Sequence, residues 1–168
     1  FLRGFEINPF TGTEFPVQFK EKQFDNESWG LDLFSLPDGY YCEFLVFDND
    51  SELSKTLCGT IDQLWIETNK DTGIRYTDQG DYKTNSSPPD NKKYNKMYEP
   101  LKHLWANKLT DYTLQASLYQ EMLSTFGFVP RNSSFTHYTD YDVDTALPYP
   151  LNLLGDEAKL ILKNYRNK

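Results

Sequence analysis

Asp140, Asp142 and Asp144 form an Asp-x-Asp-x-Asp run, a spacing that brings three carboxylates onto Ca²⁺ when the backbone loops around the ion. An EF-hand loop would also need Gly at position 145 and Glu at 151, where the chain has Thr145 and Leu151. In an extended segment the three carboxylates simply share a solvated face. A nucleophile would need a base, and only His103 and His137 are on offer. His103 falls in a helical pattern beside Leu104 and Trp105. His137 lies between Thr136 and Tyr138, within reach of the Asp140 run. No Gly-x-Ser-x-Gly elbow, phosphate-binding Gly loop or His-Glu-x-x-His helix is present. Asp38 after Pro37, with Asp90-Asn-Lys92 far downstream, matches an acid, acid and lysine nuclease pattern only superficially. The second piece lies in a Pro/Ser stretch, and the acidic chain repels DNA. These residues favour a non-enzymatic protein without a cofactor, and metal-assisted hydrolysis at the Asp140 region is a second alternative.

The charge distribution is more informative. Between Asp25 and Glu67 the chain has ten carboxylates and one cation, Lys55, a net −9 against −8 for all 168 residues. The rest of the chain is therefore nearly neutral. Such a balance disfavours nucleic acid, whose phosphates require Lys and Arg, and also anionic membrane surfaces. It suits a basic protein partner, whose encounter with an acidic face is electrostatically steered. An inhibitor or immunity-type protein that neutralises a basic toxin or nuclease would have this size and charge. On that reading Asp48, Asp50, Glu52 and Asp62 carry the charge, with Trp29, Tyr40 and Tyr41 as aromatic anchors.

Cys42 and Cys58 allow one disulfide at most, and two reduced thiols are the simpler expectation. Four Asn-x-Ser sequons, at Asn26, Asn49, Asn85 and Asn132, make a secreted, glycosylated binding domain the first alternative. Phe1 in place of Met is expected of a trimmed or processed chain, so the cytoplasm and the extracellular space both stay open. Tyr138, Tyr141 and Tyr149 cluster as they would in a carbohydrate-stacking segment, or as turn and core packing.

The elements that must position these residues are read from periodicity. Glu14–Lys20 and Gly30–Phe34 predict short strands, and Pro37-Asp-Gly39 predicts a turn into a strand over Tyr40–Phe47 that is covered on both faces. An antiparallel meander is the simplest arrangement of the three. Leu53, Leu57, Ile61, Leu64 and Trp65 recur at helical spacing and predict a helix over about 51–66, against Gly59 and three threonines. A strand ending Leu64-Trp65-Ile66 competes with it. Residues 69–91 are polar and predict a mobile loop, with a small hairpin around Gly73–Thr77. Tyr94 to Trp105 and Thr110 to Phe126 predict two helices in an antiparallel hairpin, the second stopped by Gly127 and Pro130. Phe135–Thr139 predicts a last strand, and 156–166 a closing helix with a basic end.

Leu36-Pro-Asp-Gly-Tyr-Tyr-Cys-Glu-Phe-Leu45 resembles a Leu-Pro-x-x-Tyr-x-x-Phe-Leu segment of one group of immunity proteins. There the segment is helical and follows an N-terminal helix, whereas here Asp38-Gly39 and the run Phe44–Phe47 predict a strand. The match spans ten residues and assigns no family. The expected fold is a single α+β domain over residues 1–168, a small, mostly antiparallel sheet packed by three to four helices.

Overall fold

The computed structural model describes residues 4–18, 33, 36–48, 57–90, 92 and 95–167. Nine strands and two α-helices are found among them. The strands are β1 (Phe5–Ile7), β2 (Glu14–Gln18), β3 (Gly39–Phe47), β4 (Cys58–Thr68), β5 (Arg75–Lys83), β6 (Asn95–Lys96), β7 (Trp105–Ala106), β8 (Val129–His137) and β9 (Leu147–Pro150). The helices are α1 (Lys108–Ser124) and α2 (Gly155–Arg166). One curled seven-stranded sheet has the order β1-β2-β3-β4-β5-β8-β9, and β6 and β7 form a separate hairpin. The sheet is mixed: β2 runs parallel to β3 and β5 parallel to β8. The second parallel pair needs a long crossover, which the β6–β7 hairpin and α1 provide.

The expected sheet with three to four helices is therefore corrected to a larger sheet with two helices. Residues 58–68 form the middle strand of the sheet, not a helix. The helical spacing there has a physical origin. Tyr41 and Phe44, three apart on β3, meet edge to face at 5.5 Å, and Ile61, Leu64 and Ile66 of β4 join the same core. In a regular strand, residues three apart point to opposite faces. Here the phase slips on both strands at once, at Glu43 and Asp62. The β3–β4 ladder records every other pair from Gly39↔Ile66 to Phe47↔Cys58 but skips this one. Glu43 adopts φ 53°, a left-handed conformation that re-aims the residues after it. The slip turns a spacing of two into a spacing of three, which reads as a helix in one dimension.

The predicted helix over 94–105 is replaced by the β6–β7 hairpin, where Met97 N–H donates to Leu104 O at 3.1 Å. Pro100, without an N–H, sits in the turn between Tyr98 and Leu101. No helical hairpin forms. The polar stretch 69–91 contains β5, paired to both β4 and β8. The meander is corrected too, since β2 lies parallel to β3; residues 30–32 and 34 fall outside the described set. The strand at 39–47 and the two helices near 110–126 and 156–166 match expectation closely. Asn107, instead of Thr110 or Asp111, caps α1 by accepting from Thr110 N–H at 2.9 Å, and Gly127 stops it at φ 81°.

The main core lies between the sheet and α1, where Phe44, Val46, Ile61, Leu64 and Ile66 meet Met122, Leu123 and Phe126. Burying each such side chain contributes about 1.5–3 kcal/mol. Gly59 lets α1 approach, since a Cβ there would sit 2.4 Å from the Tyr119 ring. A second, smaller core fills the curl of the sheet, with Phe15, Tyr40 and Trp65 flanked by Phe10 and Val17.

Candidate functional site

The sheet brings three carboxylates together from consecutive strands. Glu43 on β3 is exposed, Asp62 on β4 half-buried, and Asp81 on β5 half-buried. Asp62 Oδ2 accepts from Tyr82 N–H at 2.8 Å, just beyond the last recorded β4–β5 pair, Gln63↔Gly80. Burial raises the Asp81 carboxyl; the Lys83 ammonium opposes this, and Asp62 and Glu43 push the carboxyl further up. Lys83 is itself committed, paired with Asp81 and donating to Gln115 Oε1 at 3.2 Å. Among the described residues, three acids thus share one cation that is already engaged. Like charges at facing positions of a sheet destabilise it.

On the opposite face of β5, Tyr82 pairs with Tyr138, with ring centroids 5.8 Å apart. Tyr82 is 45% exposed, and its hydroxyl pKa is pushed up to about 12, first by burial and then by Tyr40, Tyr138, Cys42 and Glu6 around it. The acidic face is thus assembled from β3, β4 and β5, and the tyrosine pair lies on the opposite side of the sheet.

The residues expected at the partner surface are distributed differently. Asp48 is 1% exposed, and its carboxylate accepts two hydrogen bonds from Arg166, Nε–H to Oδ2 at 2.7 Å and Nη2–H to Oδ1. It anchors the end of α2 to the end of β3, which gives the basic tail of α2 a definite partner. Tyr40 is buried against Trp65 at 5.2 Å, its pKa raised to about 12 chiefly by burial. Tyr41, 3% exposed, donates its hydroxyl to Pro37 O at 2.7 Å. Asp62 lies at the acidic face. Trp29, Asp50 and Glu52 fall outside the described residues. Glu43 and Asp81 belong to the acidic segment and the polar stretch of the sequence, but no local signal marks them. The phase slip and the β4–β5 pairing bring them together.

The other candidate chemistries disperse. Asp142 Oδ1 accepts from Asp144 N–H at 3.0 Å within two successive 3-10 turns, and among the described residues no three of His, Cys, Asp and Glu converge to hold a metal ion. His137 is buried on β8 with Nε2 2.9 Å from Asn85 O, and no described residue hydrogen-bonds its Nδ1. His103 lies on the turn between β6 and β7, exposed, with Nε2 2.8 Å from Glu157 Oε1. The Tyr cluster splits: Tyr149 stacks on Phe135 at 4.7 Å, Tyr138 joins Tyr82, and Tyr141 stands 77% exposed. Cys42 pairs with Gln63 and Cys58 with Phe47 along the same ladder, five residue steps apart, about 16 Å, so no bridge joins them. Asn132 donates Nδ2–H to Asp78 Oδ1 at 2.7 Å, and the Asn85 amide bonds the Tyr112 hydroxyl, so both sequon side chains are engaged. Asn26 and Asn49 lie outside the described residues.

Asp78 holds the most heavily bonded site. Fully buried, it accepts from Asn8 at 2.7 Å, from Arg131 Nε–H at 3.0 Å and from Asn132. Burial pushes its carboxyl up, but the hydrogen bonds from Arg131, Asn8 and Asn132 outweigh that and hold it below the usual carboxylate range. Arg131 reaches it as the extra residue of a bulge, since Thr77 pairs with Pro130 and Asp78 with Asn132. Arg131 also pairs with Glu67, so the network ties β1, β4, β5 and β8 together. Its role is architectural.

No protein-family model, curated protein or solved structure matches this chain. No described helix is long and apolar enough to cross a membrane. Neither the fold nor these comparisons supports the inhibitor or immunity role expected from size and charge.

Proposed function

We propose that the chain is a non-enzymatic binding module that engages a basic protein through the acidic face around Glu43, Asp62 and Asp81. The observation that carries this reading is the convergence of three carboxylates on adjacent strands with, among the described residues, one cation already committed to Asp81. A Lys or Arg from a partner would relieve that repulsion by pairing with the carboxylates. The chain's net charge of −8 adds long-range steering toward such a partner.

The test compares immobilised wild-type protein with the isosteric double variant Glu43→Gln/Asp62→Asn in affinity chromatography of native lysate at low and moderate salt. Wild type is expected to retain a stoichiometric basic protein that moderate salt releases, and the variant to lose it. Asn at position 62 still accepts the Tyr82 N–H, so the strand pairing survives. Equal retention by both proteins, with the same salt dependence, would sink the proposal.

A further inference from the structure

Between α1, α2, the β6–β7 hairpin and the start of β4 lies an open cavity of ≈ 380 Å³. Leu57, Met97, Leu101, Leu118 and Ile161 form much of its wall, and its volume falls within the roughly 300–1,000 Å³ of ligand sites. Both methionines of the chain, Met97 and Met122, line it. Thioether side chains re-pack to fit varied apolar shapes, which is why they recur at adaptable binding surfaces. Among the described residues, one charged side chain lines it, Asp111 in the first turn of α1, exposed and without an ion pair.

The walls are tied together. His103 of the hairpin turn meets Glu157 of α2 at 2.8 Å, and that hydrogen bond holds the Glu157 carboxyl below its ordinary range. Lys96 Nζ donates to His103 O at 2.8 Å, and Leu154 N–H, just before α2, donates to Ser117 Oγ of α1 at 2.8 Å. Gln115 and Tyr119 of α1 line this groove and also the small crevice that Asp81 lines, so groove and acidic face are neighbours.

We infer that this groove receives the apolar side chains of an amphipathic basic helix, the recognition element of the basic partner proposed above, on which reading the inference rests. Leucine-like anchors at i, i+3, i+4 and i+7 enter the Leu/Met/Ile lining, as helices do in apolar grooves, and a flanking Lys or Arg pairs with Asp111. An acidic occupant is disfavoured: a fatty-acid carboxylate meets Asp111, and a second copy of the chain brings its own −8.

The wall also provides a reporter. Cys58 lines the groove and is exposed, while Cys42 is exposed on β3 and does not line it. Alkylation of the two thiols is followed by mass spectrometry with a synthetic Leu/Lys amphipathic helix, with the same peptide carrying Ser for Leu, and with laurate. The Leu/Lys helix is expected to slow Cys58 labelling about tenfold at saturation and leave Cys42 unchanged, while the Ser peptide and laurate protect neither. Asp111→Lys, at an exposed site, should weaken that protection about tenfold. Binding of the Leu/Lys helix with Cys58 labelled at its free rate would overturn the groove and leave the acidic-face reading standing. Protection by laurate and not by the peptide would overturn it in favour of a lipid-like ligand. Protection that persists unchanged in Glu43→Gln/Asp62→Asn, together with unchanged lysate retention by that variant, would keep the groove and discard the acidic face.

Discussion

Over β3 and β4, α1 meets the sheet through Met122, Leu123 and Phe126, against Phe44, Ile61 and Leu64. Over β5 the same helix presents Gln120 and the Ala116 carbonyl, and these bond to Thr77 and Gln79. Thr77, Gln79, Ser117, Gln120, Ser133 and His137 are all buried on this side. One helix therefore closes two interfaces of opposite chemistry. The apolar half gains from area alone and tolerates sliding, because dispersion and desolvation have no direction. The polar half gains little net free energy but demands geometry, since each buried donor or acceptor left alone costs about 1–3 kcal/mol. Gln79 Oε1, Gln120 Nε2 and Ser133 Oγ have no partner among the described residues. The contrast assigns stability to the β3–β4 half and the orientation of α1 to the β5–β8 half.

The largest expected effect tests the apolar half. Phe44→Ala should cost about 3–5 kcal/mol in denaturant unfolding, because the fully buried ring leaves a cavity between Tyr41 and the rest of that core. A loss under about 1 kcal/mol would show that the apolar half is not the main source of stability.

Next comes the Asp78 network beside the polar half. Asp78→Ala should cost about 3 kcal/mol, because Arg131, Asn8 and Asn132 lose their shared acceptor. The pH dependence follows from the depressed carboxyl. Its stabilisation is fully present above the ordinary Asp value and is lost as pH falls through the lowered folded one. Asp78→Asn should flatten part of the acid limb in a melting-temperature series from neutral to strongly acidic pH. An unchanged acid limb would mean the network carries no linkage.

The smallest effect sharpens the contrast most. Thr77→Val with Gln120→Leu removes one buried hydrogen bond and one orphaned amide together. Its expected change is between zero and about 1 kcal/mol of gain, since apolar replacement of both partners is near neutral. The orientation of α1 should loosen, seen as faster amide exchange along the helix at unchanged stability. A loss comparable to Phe44→Ala would erase the distinction between the halves.

Legibility in the sequence followed the same divide. The strand at Gly39–Phe47 and the two helices were readable because β-rich aromatics, Gly127 and i+4 spacing are local signals, although the cap of α1 was placed on the wrong residue. β5 was not readable, because Arg75–Lys83 is polar and is held as a strand by its neighbours on both sides. β4 was misread because the slip at Glu43 and Asp62 imitates a helical repeat. At the acidic face, Asp62 was legible as a charge. Asp48 was legible too, yet Arg166, 118 positions away, turns it inward.

Sequence alone determined the net −8, its concentration between Asp25 and Glu67, the aromatic-rich core composition, and the segments whose local preferences are strong. These are sums or short-range properties, set by residues within a few positions of one another. Tertiary structure decided which acids face solvent together, which tyrosines are buried, and that Cys42 and Cys58 lie too far apart to bridge. It also decided that both methionines share one groove. Those outcomes depend on strand register and on contacts across a hundred residues, and a one-residue change of phase reverses the face each side chain takes.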